Sequence, residues 1–299
     1  MARLWLVSPL YFDVESYARL RGELARALAE EPLEPRFVAI DDSAGLDPEI
    51  GTLAPGTRVI VPPFNLGHQR ALVFGLRRLS AEIADDDFVV TLDGDGEDRP
   101  EDLPRLLAPL LADRENLRRI ALAFRTRRRE TAVFKLLYFV FKQFFLLLSG
   151  TVVRSGNYAA YRGWVARNVL FHPHFDLCYS SGLLSLNLQL APVPCERGTR
   201  FAGASKMTYS TLVLHGFRML MPFADRIAVR GLVVSGLLLL GGGVLTVARV
   251  LGAAVSPLAL SLSLVVGAIA FGSSLLLLVS FSQSQGLSMS RLNEGDGSK

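Results

Sequence analysis

Along the first 125 residues, short apolar runs alternate with stretches in which apolar positions recur every three or four residues. The runs Arg3–Ser8, Arg36–Ile40, Arg58–Val61, Phe88–Leu92 and Ile120–Phe124 read as buried strands. Between the first two, Tyr17, Leu20, Leu24, Ala27 and Leu28 fall near one helical face, with Arg21, Glu23 and Glu30 elsewhere. A second helix is predicted over about 67–79, and a third opens near Pro100, with Glu101 and Asp102 in its first turn. This alternation predicts an α/β fold: an open, mostly parallel sheet with helices on both faces. Ligands of such sheets lie beyond the carboxyl ends of the strands.

The pattern then changes. Over residues 130–153, Phe134, Leu137, Tyr138, Phe141, Phe144, Phe145 and Leu148 make a broad aromatic face, interrupted by Lys135, Lys142 and Gln143. This segment fits either an amphipathic helix lying in a membrane interface, in contact with lipids, or a buried core helix. Gly231–Ala248 and Pro257–Phe281 contain no charged residue. Each is close to the roughly 20 residues that cross a hydrocarbon core. Joined by the short Arg249–Ser256 connection, they predict a two-helix transmembrane hairpin; a helical pair in a soluble core is the alternative.

The expected organisation is therefore a catalytic-sized α/β domain over 1–225, the hairpin over 226–282 and a polar tail over 283–299. Arg218, Arg226 and Arg230 precede the hairpin and Arg291 and Lys299 follow it, against Arg249 in its turn. That excess favours an integral membrane protein with its main domain on the cytoplasmic face, as in a bacterial inner membrane. The Gly241-Gly242-Gly243 run allows close helix approach and leaves room for a homo-oligomer.

Composition adds less. The net charge of +4 suits an anionic bilayer or a phosphorylated substrate. Cys178 and Cys195 form neither a disulfide framework nor a zinc site, and both read as reduced thiols. Met1 to Leu10 is apolar too briefly for a signal peptide, with Asp13 and Glu15 following at once.

The candidate chemistry centres on Asp93-Gly94-Asp95-Gly96-Glu97-Asp98, directly after the Phe88–Leu92 strand. Three carboxylates at alternate positions, Asp93, Asp95 and Glu97, can converge on one hard cation, which can in turn grip a diphosphate. A calcium loop is excluded, because Asp98 stands where that loop needs glycine and Pro104 where it needs a bidentate Glu. A solvated acidic turn is the competing reading. Asp41-Asp42-Ser43 closes the second strand, where carboxylates can accept hydrogen bonds from a ribose or base or simply cap a turn. Asn65 is placed to cap the second helix, and Arg70 either reaches a phosphate or is solvated.

Arg125-Thr126-Arg127-Arg128-Arg129-Glu130 is a dense basic cluster whose guanidinium groups suit phosphate oxygens; solvation or contact with lipid is the alternative. No basic stripe with interleaved aromatics extends from it, so nucleic acid is not an expected partner. The stretch Arg197–Lys206 places three cations and two glycines in a loop able to close over an anionic substrate.

In this order, the motifs resemble a family 2 glycosyltransferase of GT-A fold, of the membrane-bound polyprenyl-phosphate type that includes dolichyl-phosphate mannose synthases. The family's P-x-Y-N-E appears as Pro9-Leu10-Tyr11-Phe12-Asp13, and its V-D-D-x-S as Ile40-Asp41-Asp42-Ser43. N-x-G appears as Asn65-Leu66-Gly67. D-x-D-x-Q-D-P-P-E runs from Asp93 to Glu101, with Glu97 for Gln and Arg99 for Pro. R-x-x-R is Arg125 and Arg128, and R-x-A-G-x-S-K is matched by Arg200, Ala202, Gly203, Ser205 and Lys206. Two departures stand out. The family's G-D-F reads Gly156-Asn157-Tyr158, and Glu97 adds a negative charge to the metal motif. The Q-x-x-R-W motif of processive polysaccharide synthases is absent, which argues for one sugar per event.

The resemblance implies inverting, Mg²⁺- or Mn²⁺-dependent transfer from a UDP- or GDP-linked nucleotide sugar to a polyprenyl phosphate or another lipid acceptor. Asp93, Asp95 and Glu97 would hold the metal. Pro9, Tyr11, Asp13, Asp42 and Asp93 would contact the donor nucleotide. Arg125, Arg128, Arg200 and Lys206 would grip donor and acceptor phosphates. A lipid phosphate is already an anion and needs no general base, whereas a hydroxyl acceptor would need one, for which Asp176 is the candidate. A catalytically silent nucleotide-binding membrane protein that regulates a partner is the remaining alternative.

Overall fold

The computed structural model describes residues 2–125, 132–153, 155–186, 188–203 and 209–296; the side chains at 125, 132–137, 155, 209–210 and 283–296 are outside that description. The strands are β1 (Ala2–Leu10), β2 (Leu33–Asp41), β3 (Thr57–Ile60), β4 (Phe88–Thr91), β5 (Arg119–Arg125), β6 (Ser155–Arg162) and β7 (Gln189–Cys195). The helices are α1 (Val14–Ala27), α2 (His68–Leu79), α3 (Leu103–Ala112), α4 (Ala132–Ser149), α5 (His174–Leu177), α6 (Tyr179–Ser185), α7 (Tyr209–Leu220), α8 (Ala224–Val250) and α9 (Pro257–Asp296). Contacts divide the chain into two units, one of residues 1–137 and 153–219, the other of 138–152 and 220–299.

The first unit is built on a seven-stranded sheet of order β3-β2-β1-β4-β6-β5-β7. All neighbours run parallel except β6, which pairs antiparallel with both β4 and β5. Strand periodicity sends alternate side chains to opposite faces. Leu4, Leu6, Phe88 and Val90 therefore meet Leu20 and Leu24 of α1 and Leu103, Leu106 and Leu107 of α3. Trp5, Val7, Val38, Ile40 and Val89 meet Leu72 and Leu76 of α2, with Phe175 and Tyr179 beyond. Every strand predicted from the sequence is present. β6 and β7 were not predicted.

In the second unit, Phe145 of α4 is fully buried and meets Phe223 edge to face at 5.5 Å. Arg230 donates to the Leu147 carbonyl at 2.6 Å, satisfying an acceptor in the last turn of α4. Phe139, Val140, Phe144 and Leu147 of the same helix are exposed. Thr211–Val250 and Pro257–Ser282 are long and apolar enough to cross a membrane. Only 11% of each apolar window is buried, so neither resembles the core helix of a soluble domain. α8 and α9 pack on each other, and a Cβ on Gly242 would stand 2.6 Å from Leu264 Cδ2.

Candidate active site

Tyr11 to Asp13, Asp41 with Asp42, and Asp93 to Asp98 all follow the carboxyl ends of parallel strands, the edge where α/β sheets bind ligands. Gly96 turns the acidic run back with φ +86°, a conformation costly to residues with a Cβ. A Cβ there would lie 2.5 Å from the Phe201 ring, so the turn also needs a glycine for space.

The loop after β7 lies on this turn. Gly198 N–H donates to the Glu97 carbonyl at 2.8 Å and Phe201 N–H to the Asp95 carbonyl at 2.9 Å. Asp98 and Arg197 form a backbone bridge. Arg200 reaches across the edge: its Nη2 is 2.7 Å from Asp95 Oδ2 and its Nη1 is 3.1 Å from Asp13 Oδ1. Three predicted residues from three separate loops thus meet. Arg200 Nε is buried and has no hydrogen-bond partner among the described residues.

The three acidic positions do not share one partner. Asp93 Oδ1 lies 2.8 Å from His68 Nε2 and accepts Asn157 Nδ2–H at 3.1 Å. Asp95 meets Arg200, and its Oδ1 accepts Glu97 N–H at 2.9 Å. Glu97 Oε2 is held by Arg197 through Nε, at 2.9 Å, and Nη2. Among the described residues, no three His, Cys, Asp or Glu side chains form a ready cation cage. Burial first, then the Asp93 charge, raises the Asp95 carboxyl above its usual range, despite the opposing Glu97 N–H and Arg200.

Asp42 is buried and organises the β3–α2 loop. Its Oδ1 accepts Leu66 N–H at 2.7 Å, and its carbonyl accepts Asn65 Nδ2–H at 2.9 Å. Burial raises its carboxyl, and the Leu66 and Gly67 N–H groups counter this. Asn65 is therefore not the cap of α2; Gly67 occupies that position without a side-chain cap. Asp41 closes its own turn, accepting Ser43 N–H at 3.1 Å and Gly45 N–H at 3.0 Å. Arg70 is exposed and donates to the Leu66 carbonyl at 2.8 Å. Pro9 is buried one residue before the end of β1, and Tyr11, 43% exposed, contacts the Phe12 ring. Arg125 ends β5, with its side chain outside the description; Arg128 and Lys206 lie outside the described residues.

Asp176 does not belong to this edge. It pairs with Arg77, nine residues beyond His68 on α2 and so about 14 Å further along the helix axis. Sequence reasoning gave no role to His68, Gln69 or Asn157; His68 and Asn157 meet Asp93, and Gln69 meets Asn157. The available signal was positional: His68 and Gln69 follow Gly67 at the ligand edge, and Asn157 stands where the resembled motif has an acid.

The family model "Glycosyl transferase family 2" matches residues 9–169, more than half of the chain. No curated protein matches it. Among solved structures, glucosyl-3-phosphoglycerate synthase from Mycobacterium tuberculosis with Mn²⁺ and UDP-glucose is similar at TM-score 0.52 and 17% identity, over 76% of this chain and 79% of that one. The same synthase with Mn²⁺, UDP-glucose and phosphoglyceric acid gives 0.50 and 18%, over 76% and 80%. The crystal structure of a mycobacterial protein gives 0.51 and 19%, over 76% and 75%. At these identities the structural likeness speaks to fold, and that fold is GT-A.

Proposed function

The chain belongs to glycosyl transferase family 2, and we propose that it transfers one sugar, with inversion, from a UDP- or GDP-linked nucleotide sugar to a membrane polyprenyl phosphate, assisted by Mg²⁺ or Mn²⁺. The observation that carries this reading is the meeting of Asp95, Asp13 and Arg200 at the carboxyl edge of the sheet, beside Asp93. Nucleotide sugar and Mn²⁺ also accord with the complexes of the mycobacterial synthase.

The donor set suits a divalent cation. Asp93 and Asp95 are hard oxygen donors two positions apart, and Asp95 is buried beside like charge. Mg²⁺ is commonly held by one or two carboxylates together with substrate phosphates, so no complete protein cage is required. Asp93 and Asp95 would hold the ion; Glu97, engaged by Arg197, would act on the loop instead. When bound, the ion supplies Lewis-acid stabilisation of the leaving nucleoside diphosphate.

The chain's own groups do the rest. Arg200 moves its charge from Asp95 toward the diphosphate as the leaving group becomes more negative. Tyr11 and Asp13 bind the nucleoside, and Asp42 holds the loop beside it. Arg125, Arg128 and Lys206 bind the acceptor phosphate, which attacks as an anion without a general base. Residues 226–282 anchor the chain in the bilayer as a hairpin, with residues 1–225 on the cytoplasmic side.

The test is release of UDP or GDP from a panel of sugar nucleotides, with and without polyprenyl phosphate and with and without EDTA. Release that requires both the lipid phosphate and a divalent ion is the expected result. Release without the lipid phosphate would move the acceptor to a hydroxyl. No release with any donor would favour a silent nucleotide-binding protein.

A further inference from the structure

The Asp93 carboxylate is reached by a chain of two side-chain amides whose direction is set by a group that cannot turn round. Ser180, in the first turn of α6, donates its backbone N–H to Gln69 Oε1 at 2.9 Å. Cys178 Sγ lies 3.4 Å from the same oxygen. A backbone N–H only donates, so the oxygen of Gln69 must face α6 and its nitrogen must face away. That nitrogen donates to Asn157 Oδ1. Asn157 must then turn its own nitrogen outward, and Nδ2 lies 3.1 Å from Asp93 Oδ1. The Asn157 backbone is pinned in turn, because its carbonyl accepts Thr91 Oγ1–H at 2.6 Å in the buried interior. His68, adjacent to Gln69, meets the same Asp93 oxygen at 2.8 Å.

We propose that Gln69 and Asn157 are positioning residues: an oriented amide relay from the α6 backbone that holds the Asp93 rotamer and presents a donor to its Oδ1. This deepens the metal-assisted reading above and rests on it, since that reading gives Asp93 its task. An amide carries a donor at one end and an acceptor at the other, so it passes polarity along; a carboxylate at either relay position cannot. The acid-to-amide departure at Asn157 thereby has a physical consequence. An Asp there would set a second negative oxygen against Asp93, whereas Asn sets an N–H against it.

The test is the affinity of the full-length, detergent-solubilised protein for Mn²⁺ alone, read by electron paramagnetic resonance, in wild type, Gln69→Met and Gln69→Glu. Methionine keeps the length and removes the relay. Glutamate keeps an acceptor for Ser180 N–H but offers only oxygen to Asn157, which must turn its nitrogen back and its oxygen onto Asp93. The relay predicts an affinity loss of about 10-fold for Gln69→Met and toward about 100-fold for Gln69→Glu, the range that partners of metal ligands command. Thermal stability should run the other way, with Gln69→Glu the milder variant. A role confined to supporting α6 would make Gln69→Glu the milder variant in both measurements, and that result overturns the proposal. Wild-type protein that binds no Mn²⁺ would overturn the parent reading and the relay together. Tight wild-type binding that both variants retain would overturn the relay alone.

Discussion

Arg200 Nη2 lies 2.7 Å from Asp95 Oδ2, and the two residues stand 105 positions apart in the chain. Charge-assisted contacts of this kind are among the stronger hydrogen bonds in proteins. Asp95 is nearly buried, so the guanidinium compensates a charge that water cannot solvate. An arginine in that position is an internal counter-cation for the carboxylate proposed to hold the metal.

Replacing Arg200 should therefore move two measurements in opposite directions. Arg200→Gln removes the competing cation, and Mn²⁺ affinity of the substrate-free protein should rise several-fold. Transfer should fall by about 10- to 100-fold, the worth of roughly 1.5–3 kcal/mol for a hydrogen bond to a charged group. Titration with Mn²⁺ and steady-state release of nucleoside diphosphate read the two effects separately. A parallel fall in both would mean that Arg200 supports the carboxylates rather than competing for them.

Asp95 and Glu97 should separate cleanly, although they sit two positions apart. Asp95→Ala is expected to lower transfer by more than about 100-fold, beyond what loss of an outer partner costs, with membrane insertion intact. Glu97→Gln should leave Mn²⁺ affinity within about fivefold, because a largely solvated pair such as Glu97–Arg197 contributes about 1 kcal/mol or less. Its effect should appear instead as faster proteolysis of the 197–203 loop. Equal loss of metal affinity in both variants would restore Glu97 as a ligand.

The limits of the sequence follow from where each signal resides. β1, β2, β4 and β5 were legible because strands whose central residues are buried on both faces read as continuous apolar runs such as Phe88-Val89-Val90, whereas β3, an edge strand exposed at its middle, was legible only through the short run Val59-Ile60-Val61. β6 escaped because Ser155-Gly156-Asn157 opens it without apolar character, and β7 because Pro192 and Pro194 interrupt it. Those prolines are tolerated since β7 is the last strand of the sheet and has one neighbour. Asp93 and Asp95 were legible as alternate carboxylates after a strand. The engagement of Asp95 by Arg200 and of Glu97 by Arg197 was not, because side chains about a hundred positions apart leave no spacing to read. Asn65 had the right chemistry for a cap, but the Asp42 carbonyl is its actual partner.

Gly96 couples the acidic turn to the loop lying on it. Gly96→Ala is expected to destabilise the fold by about 1–2 kcal/mol through the left-handed backbone alone. Because its Cβ would meet the Phe201 ring at 2.5 Å, the loop must also shift. Phe201→Ala should recover the steric part and leave the backbone part. Denaturation midpoints of the two single variants and the double variant measure both. Strict additivity would show that the ring and the turn are not in contact in solution.

At the other end of β4, Asp87 supplies a pH-dependent element of stability. Burial works against its charge, but Trp5 Nε1–H, Ala84 N–H and the Arg3 guanidinium and N–H outweigh burial and hold the carboxyl below its usual range. Its Oδ2 lies 2.8 Å from Arg3 and 3.0 Å from Trp5 Nε1. A carboxyl whose folded pKa is depressed contributes stability that is complete above its unfolded pKa, about 3.9, and is lost as pH falls through the lower folded value. Asp87→Asn should therefore cost about 2 kcal/mol at pH 7, in the range of a hydrogen bond to a charged group. The gap between variant and wild type should hold down to about pH 4 and then close as the wild-type carboxyl protonates. Urea midpoints for both proteins between pH 7 and pH 3 measure it. A gap unchanged at the acid end would assign the loss to packing around Trp5 rather than to the charge on Asp87.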